Sequence, residues 1–121
     1  MRRWIVMGLV AGLAGCASVK GLREQSPNLI LTSTKSPATV GECVAAGWGE
    51  FLGVTISQGA TPSGGYTVSL PDAYTGNNGV LDALPSEGGS TIKVYYRLYT
   101  KFNYDGKFGF GKFDRVVKNC I

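Results

Sequence analysis

The sequence predicts an α+β fold: a mainly antiparallel sheet of about five strands with two helices on one of its faces, in the order β-α-β-β-β-β-α. Two observations carry this expectation. Apolar residues recur at helical spacing in two stretches, Val40, Cys43, Val44, Gly47, Trp48 and Phe51 near the start, and Phe113, Val116, Val117 and Cys120 at the end. Between them lie alternating runs separated by short turn clusters, the pattern of strands joined to antiparallel neighbours. Each helix is apolar along one side only, so both should pack on the same sheet face.

The elements follow in order. Residues 17–27, with Ser18, Lys20, Arg23, Glu24, Gln25, Ser26 and Pro27, are polar and without period, and are expected to form a flexible tether. Residues 29–34, rich in Leu, Ile and Thr, make the first strand. Ser36-Pro37 supplies an N-cap and a proline for the first helical position, so the first helix should cover about residues 37–50. Gly47 and Gly49 weaken its last turn and Gly53 ends it. Residues 54–57 are a short strand, residues 60–65 a turn cluster, and Tyr66, Val68 and Leu70 alternate with Thr67 and Ser69 in a partner strand. After a loop over 71–79 come a strand at 80–84, a turn at 85–89 and the longest strand, 91–101. Residues 110–120 form the closing helix.

The N-terminus carries its own signal. Met1-Arg2-Arg3 is a short basic start, the run from Trp4 to Leu13 is apolar or small, and Leu13-Ala14-Gly15-Cys16 follows. Basic start, apolar run and small residues before a cut site are the parts of a secretory signal. Even counted generously, from Trp4 to Ala17, the apolar run is about fourteen residues long, shorter than the roughly 20 needed to span a bilayer. Leu13-Ala14-Gly15-Cys16 resembles the lipobox of bacterial lipoproteins. That resemblance covers about the first sixteen residues and implies that Cys16 receives a diacylglyceryl group. It also implies that residues 1–15 are removed as a signal peptide and that the new amine is acylated, commonly with palmitate. Ala17 and Ser18, in place of an aspartate, favour outer-membrane sorting over inner-membrane retention in the enterobacterial version of the family. The expected organisation is a signal peptide over 1–15, a lipidated cysteine and tether over 16–27, and one globular domain over 28–121.

With Cys16 committed to lipid, Cys43 and Cys120 remain as an even pair in an oxidising compartment. Both sit on inner helical stripes, so a disulfide joining the two helices is expected, against the alternative of two buried thiols. A loop of about 78 residues closed this way stabilises by roughly 4.5 kcal/mol in the chain-entropy model, comparable to the whole stability of a small domain. The order of elements and the cysteine pair also resemble small α+β envelope lipoproteins of proteobacteria that carry no assigned activity.

Composition removes several function classes. The chain has no histidine, which excludes Ser-His and Cys-His nucleophile systems and histidine metal sites. Of 12 Lys and Arg, Arg2 and Arg3 leave with the signal, so 10 face 8 acidic residues, too slight an excess for a dedicated nucleic-acid binder. Ser90 and Lys93 have the spacing of a Ser-x-x-Lys motif, but three positions along a strand point them to opposite faces. Residues 106–113 resemble a phosphate loop without its Gly-Lys-Ser/Thr ending, and an RRM strand motif with its first pair reversed. They read better as a glycine-rich turn into the last helix, with Phe110 and Phe113 in the core. No spacing pairs the carboxylates Glu24, Glu42, Glu50, Asp72, Asp82, Glu87, Asp105 and Asp114 across a cleft. Asp82, within an apolar strand, is expected on its solvent side.

The pattern richest in binding chemistry lies on the longest strand. Ile92, Val94, Tyr96 and Leu98 share the face expected to meet the helices, and Lys93, Tyr95, Arg97, Tyr99 and Lys101 share the other. Cations alternating with aromatics on a bare sheet can stack rings or sugars and pair with anions. The plainer reading is a solvated sheet face of good strand formers. The expected protein is therefore non-enzymatic and lipid-anchored in the cell envelope, with no cofactor beyond its covalent lipid. Its expected partners are the membrane through that lipid, and envelope proteins or anionic cell-wall or lipopolysaccharide groups through the open sheet face. Inhibition of lysozyme-like host enzymes is the further alternative.

Overall fold

Five strands and three helices make up the described part of the chain, residues 17–71, 78–97 and 111–121 of the computed structural model. In order they are α1 (Ala17–Glu24), β1 (Leu29–Ser33), α2 (Pro37–Leu52), β2 (Ser57–Ala60), β3 (Tyr66–Leu70), β4 (Gly79–Ser86), β5 (Gly89–Tyr96) and α3 (Gly111–Asn119). The strands form one sheet in the order β1-β5-β4-β3-β2, antiparallel throughout. The α+β class, the strand number and the placement of α2 and α3 on one face are as the sequence predicts.

Local chemistry sets most boundaries. Ser36 caps α2, its hydroxyl accepting from the Thr39 N–H at 3.2 Å, and Pro37 opens the first turn. Gly53, at φ 69°, closes the helix in the left-handed conformation and donates to the Gly49 carbonyl. β4 and β5 meet in a hairpin whose turn is Glu87-Gly88, with Gly88 at φ 77°. The predicted turn at 85–89 is thus shorter, and Pro85 lies inside β4. It is tolerated there because β3 pairs with β4 only as far as Ala83, so Pro85 has a ladder neighbour on one side.

The inner face of the sheet supplies Val68, Leu70, Leu81, Ala83, Ile92, Val94 and Tyr96, packed against Val40, Val44 and Trp48 of α2 and Phe113 and Val117 of α3. Trp48 stands edge-on to Phe113, with ring centroids 6.2 Å apart, and its indole N–H donates to the Phe113 carbonyl. The Tyr96 hydroxyl donates to Asp114 at 2.9 Å. Cys43 and Cys120 form the expected disulfide between α2 and α3, with Cα atoms 5.7 Å apart. Cys120 is buried, whereas Cys43 is exposed at the rim of the apolar stripe rather than within it. Gly47 explains the tight approach of the two helices, since a Cβ there would stand 2.5 Å from Val116 Cγ1. Its glycine serves helix contact more than it weakens the turn.

Two further expectations change, and part of a third lies outside the described residues. The strand predicted at 54–57 forms three residues later, at Ser57–Ala60, because α2 runs on to Leu52 and the chain must still turn. The longest strand is described only to Tyr96, and Leu98, Tyr99 and Lys101 lie outside the described residues, as do 1–16, Asp72, Asp105 and Phe110. The largest change is α1: the segment read as a flexible tether is a helix over Ala17–Glu24, and it packs on the sheet face opposite α2 and α3.

Candidate functional site beneath the first helix

Strand alternation turns Val80 and Asp82 of β4 and Lys93 and Tyr95 of β5 away from the main core. The register sets Val80 opposite Tyr95 and Asp82 opposite Lys93, with Thr67 of β3 beyond Asp82. α1 covers part of this outer face. Val19 and Leu22, three positions apart on the helix, rest on Val80 and Tyr95 and form a second small apolar cluster. Leu22 and Tyr95 are almost fully buried there, at 4% and 7% exposure.

A charge clamp closes the contact. The Arg23 guanidinium donates through Nε to Asp82 Oδ2 and through Nη2 to Asp82 Oδ1, both at 2.9 Å, a paired fork on one carboxylate. The Thr67 hydroxyl donates to the same Asp82 Oδ1 at 2.9 Å. The bond to Asp82 raises the Arg23 pKa above its already high ordinary value, against the opposing effect of burial. Burial pushes the Tyr95 phenol up, the Asp82 charge pushes it further, and Arg23 partly offsets them. Below α1, the Gln25 amide donates to the Tyr96 carbonyl at 3.0 Å and the Asn28 side chain accepts from the Tyr96 N–H, so the chain stays pinned to β5 as it enters β1.

Over Lys93 and Tyr95 the predicted strip therefore keeps its register but is not bare, and Tyr99 and Lys101 lie outside the described residues. Ile92, Val94 and Tyr96 face the main core and Lys93 and Tyr95 face the other side, as expected. Tyr95 lies under α1, so its ring is unavailable for stacking a ligand. Lys93 and Arg97 are half-buried, and the Arg97 N–H donates to the Asn78 carbonyl. Asp82 is on the outer face as predicted, but it is spent on Arg23 and Thr67. The Ser90 hydroxyl is buried and donates to the Lys35 carbonyl, on the face opposite Lys93. The residues that sequence reasoning missed are Val19, Leu22 and Arg23. Their one signal was the i, i+3 spacing of Val19 and Leu22, too short a pattern to read against Gly21 and the polar residues around it.

Among the described residues no helix is long and apolar enough to cross a membrane. No family model, curated protein or solved structure matches this chain.

Proposed function

We propose that this chain is a non-enzymatic, lipid-anchored protein of the cell envelope, a binding or accessory module whose α1 links the anchor rigidly to the domain. The observation that carries the reading is positional. α1, described from Ala17 onward, directly follows Cys16 in the chain and is fixed to the sheet by Leu22 and by the Arg23–Asp82 clamp. An extended segment of that length would give the domain tens of ångströms of slack; eight helical residues rise only about 12 Å and, being docked, leave almost none. A domain held this way rests at the membrane surface with one sheet face turned to it. Lys20 on the exposed side of α1 and the half-buried Lys93 and Arg97 are cations suited to anionic head groups or cell-wall polymers along that surface.

Fractionation of cells tests the anchor. Cys16→Ser should leave an uncleaved, unlipidated chain in the soluble fraction, because two or three acyl chains hold firmly where one binds marginally. Membrane retention of Cys16→Ser at wild-type level would remove the anchor.

A further inference from the structure

The edge of the sheet at β2 carries a second feature, remote from α1. β2 is the terminal strand, and all four of its residues are exposed. The bond from the Thr61 N–H to the Gly65 carbonyl continues the β2–β3 ladder. By antiparallel alternation Gly59 and Ser57 then turn to β3, while the N–H and C=O of Gln58 and Ala60 turn to the open edge. An open edge of this kind is a template for another strand.

Alongside it runs a groove of about 340 Å³ between α2 and the β2 edge. Its floor is apolar and small, from Ala45, Ala46, Val54 and Ile56, and Glu42 stands at its wall. Glu50 follows Ala46 by one helical turn, as Ala46 follows Glu42, so the two carboxylates flank the groove on one side of α2. Both are exposed, and neither forms an ion pair among the described residues. The Glu42 charge reaches far enough into β3 to help raise the Tyr66 phenol pKa, after burial.

We propose that the α2–β2 groove is a docking site for an extended peptide segment of a partner protein, added as a sixth strand on β2 and carrying Lys or Arg at alternate positions. The backbone of Gln58 and Ala60 supplies the pairing, as in other strand-addition complexes. Alternate side chains of the added strand point toward the groove, where Glu42 and Glu50 select cations and the small Ala46 leaves room for their aliphatic stems. The charge also argues against a second copy of this chain as the occupant. Pairing β2 with β2 about a two-fold axis would set Glu42 and Glu50 of one α2 against the same pair on the other. The site is independent of the anchor and of α1.

The test uses the folded domain and two fluorescent probes, a peptide alternating valine with lysine and one alternating valine with glutamate, read by anisotropy. The lysine peptide should bind and the glutamate peptide should not, with affinity falling as salt rises. Ala60→Pro removes one outward N–H and obstructs the edge, and should weaken binding about tenfold, equivalent to about 1.4 kcal/mol. Glu42→Lys with Glu50→Lys lies on exposed helix surface, keeps the fold and should reverse the preference to the glutamate peptide. Melting curves accompany each variant, and Ala46→Arg, which fills the groove without touching the edge backbone, replaces Ala60→Pro if that variant does not fold. Equal binding of both peptides, no binding of either, an unchanged preference after charge reversal, or self-association lost on Ala60→Pro would each overturn the proposal.

Discussion

Arg23 and Asp82 stand 59 positions apart in the chain, yet the guanidinium of one holds both carboxylate oxygens of the other. This one contact turns a segment that reads as linker into part of the fold. It also assigns Asp82, the oddest residue of its strand, a partner. The Arg23 side chain is 41% exposed and that of Asp82 14%, so solvent screens the pair and its direct contribution to stability is modest.

Breaking the clamp should release α1 and leave the rest intact. Arg23→Ala should cost about 1 kcal/mol of global stability at most, and Leu22→Ala about 2–3 kcal/mol or less, as this cluster is small. Limited proteolysis should detect the local effect: cleavage within residues 17–27 should rise strongly in the Arg23→Ala, Leu22→Ala double variant. Unchanged protection of that segment would mean α1 is not held by these residues.

The tyrosine beneath α1 makes its docking sensitive to high pH. Burial raises the Tyr95 pKa above its ordinary 10.0, so above pH 10 the folded state keeps a proton that the unfolded chain gives up. Stability is then full below that value and falls as pH rises through the raised one. Tyr95→Phe has no such proton, and its loss of stability between pH 9 and 11.5, followed by denaturant titration, should be smaller than in the wild type.

Two neighbouring tyrosines should differ in what they hold. Tyr96→Ala truncates a core ring packed on Trp48 and Phe113 and should cost about 3–5 kcal/mol. Tyr95→Ala should cost less and act mainly on α1. Equal costs, measured by denaturant unfolding, would deny that the two faces are packed separately.

Reduction of Cys43–Cys120 should lower the melting temperature by more than about 10 °C. The bridge closes a long loop, worth about 4–5 kcal/mol at most in the chain-entropy model, and 1 kcal/mol moves a domain of this size by about 4–8 °C. Exposed Cys43 gives a reductant access without unfolding. Free thiols in the folded, non-reduced protein would contradict the pairing.

Gly47 should be intolerant of even a methyl group. Gly47→Ala sets a Cβ against Val116 and should cost about 1–3 kcal/mol, the usual range for overpacking. Val116→Ala in the same chain should restore part of it, because the obstructing atom is a side-chain methyl. Additive costs in the double variant would show the two positions to be uncoupled.

The fold was legible where the pattern is long or the chemistry local. Val40, Val44 and Trp48 gave α2, Ser36-Pro37 its start, and alternation placed Val94 and Tyr96 opposite Lys93 and Tyr95. The cysteine pair followed from helical spacing as well as parity. Two kinds of information were not local. α1 has two apolar residues that form a stripe only once Val80 and Tyr95 are beneath them, and Arg23 has meaning only beside Asp82. The start of β2 depended on how far α2 runs, which is set by tertiary packing of Phe51 on Phe113 more than by propensity. Consequently the face inferred from β5 keeps its register at Lys93 and Tyr95 but is covered rather than bare at Tyr95, while Tyr99 and Lys101 lie outside the described residues.

The most direct measurement for the proposed envelope role is the intact mass and N-terminal peptide of the protein purified from membranes of a proteobacterial host. A lipid-anchored protein with α1 next to its anchor predicts a chain that begins at Cys16, carries a diacylglyceryl group and further acylation on that residue, and continues directly into Ala17. A chain that begins at Met1, or at any residue other than Cys16, or a Cys16 without lipid, would contradict it.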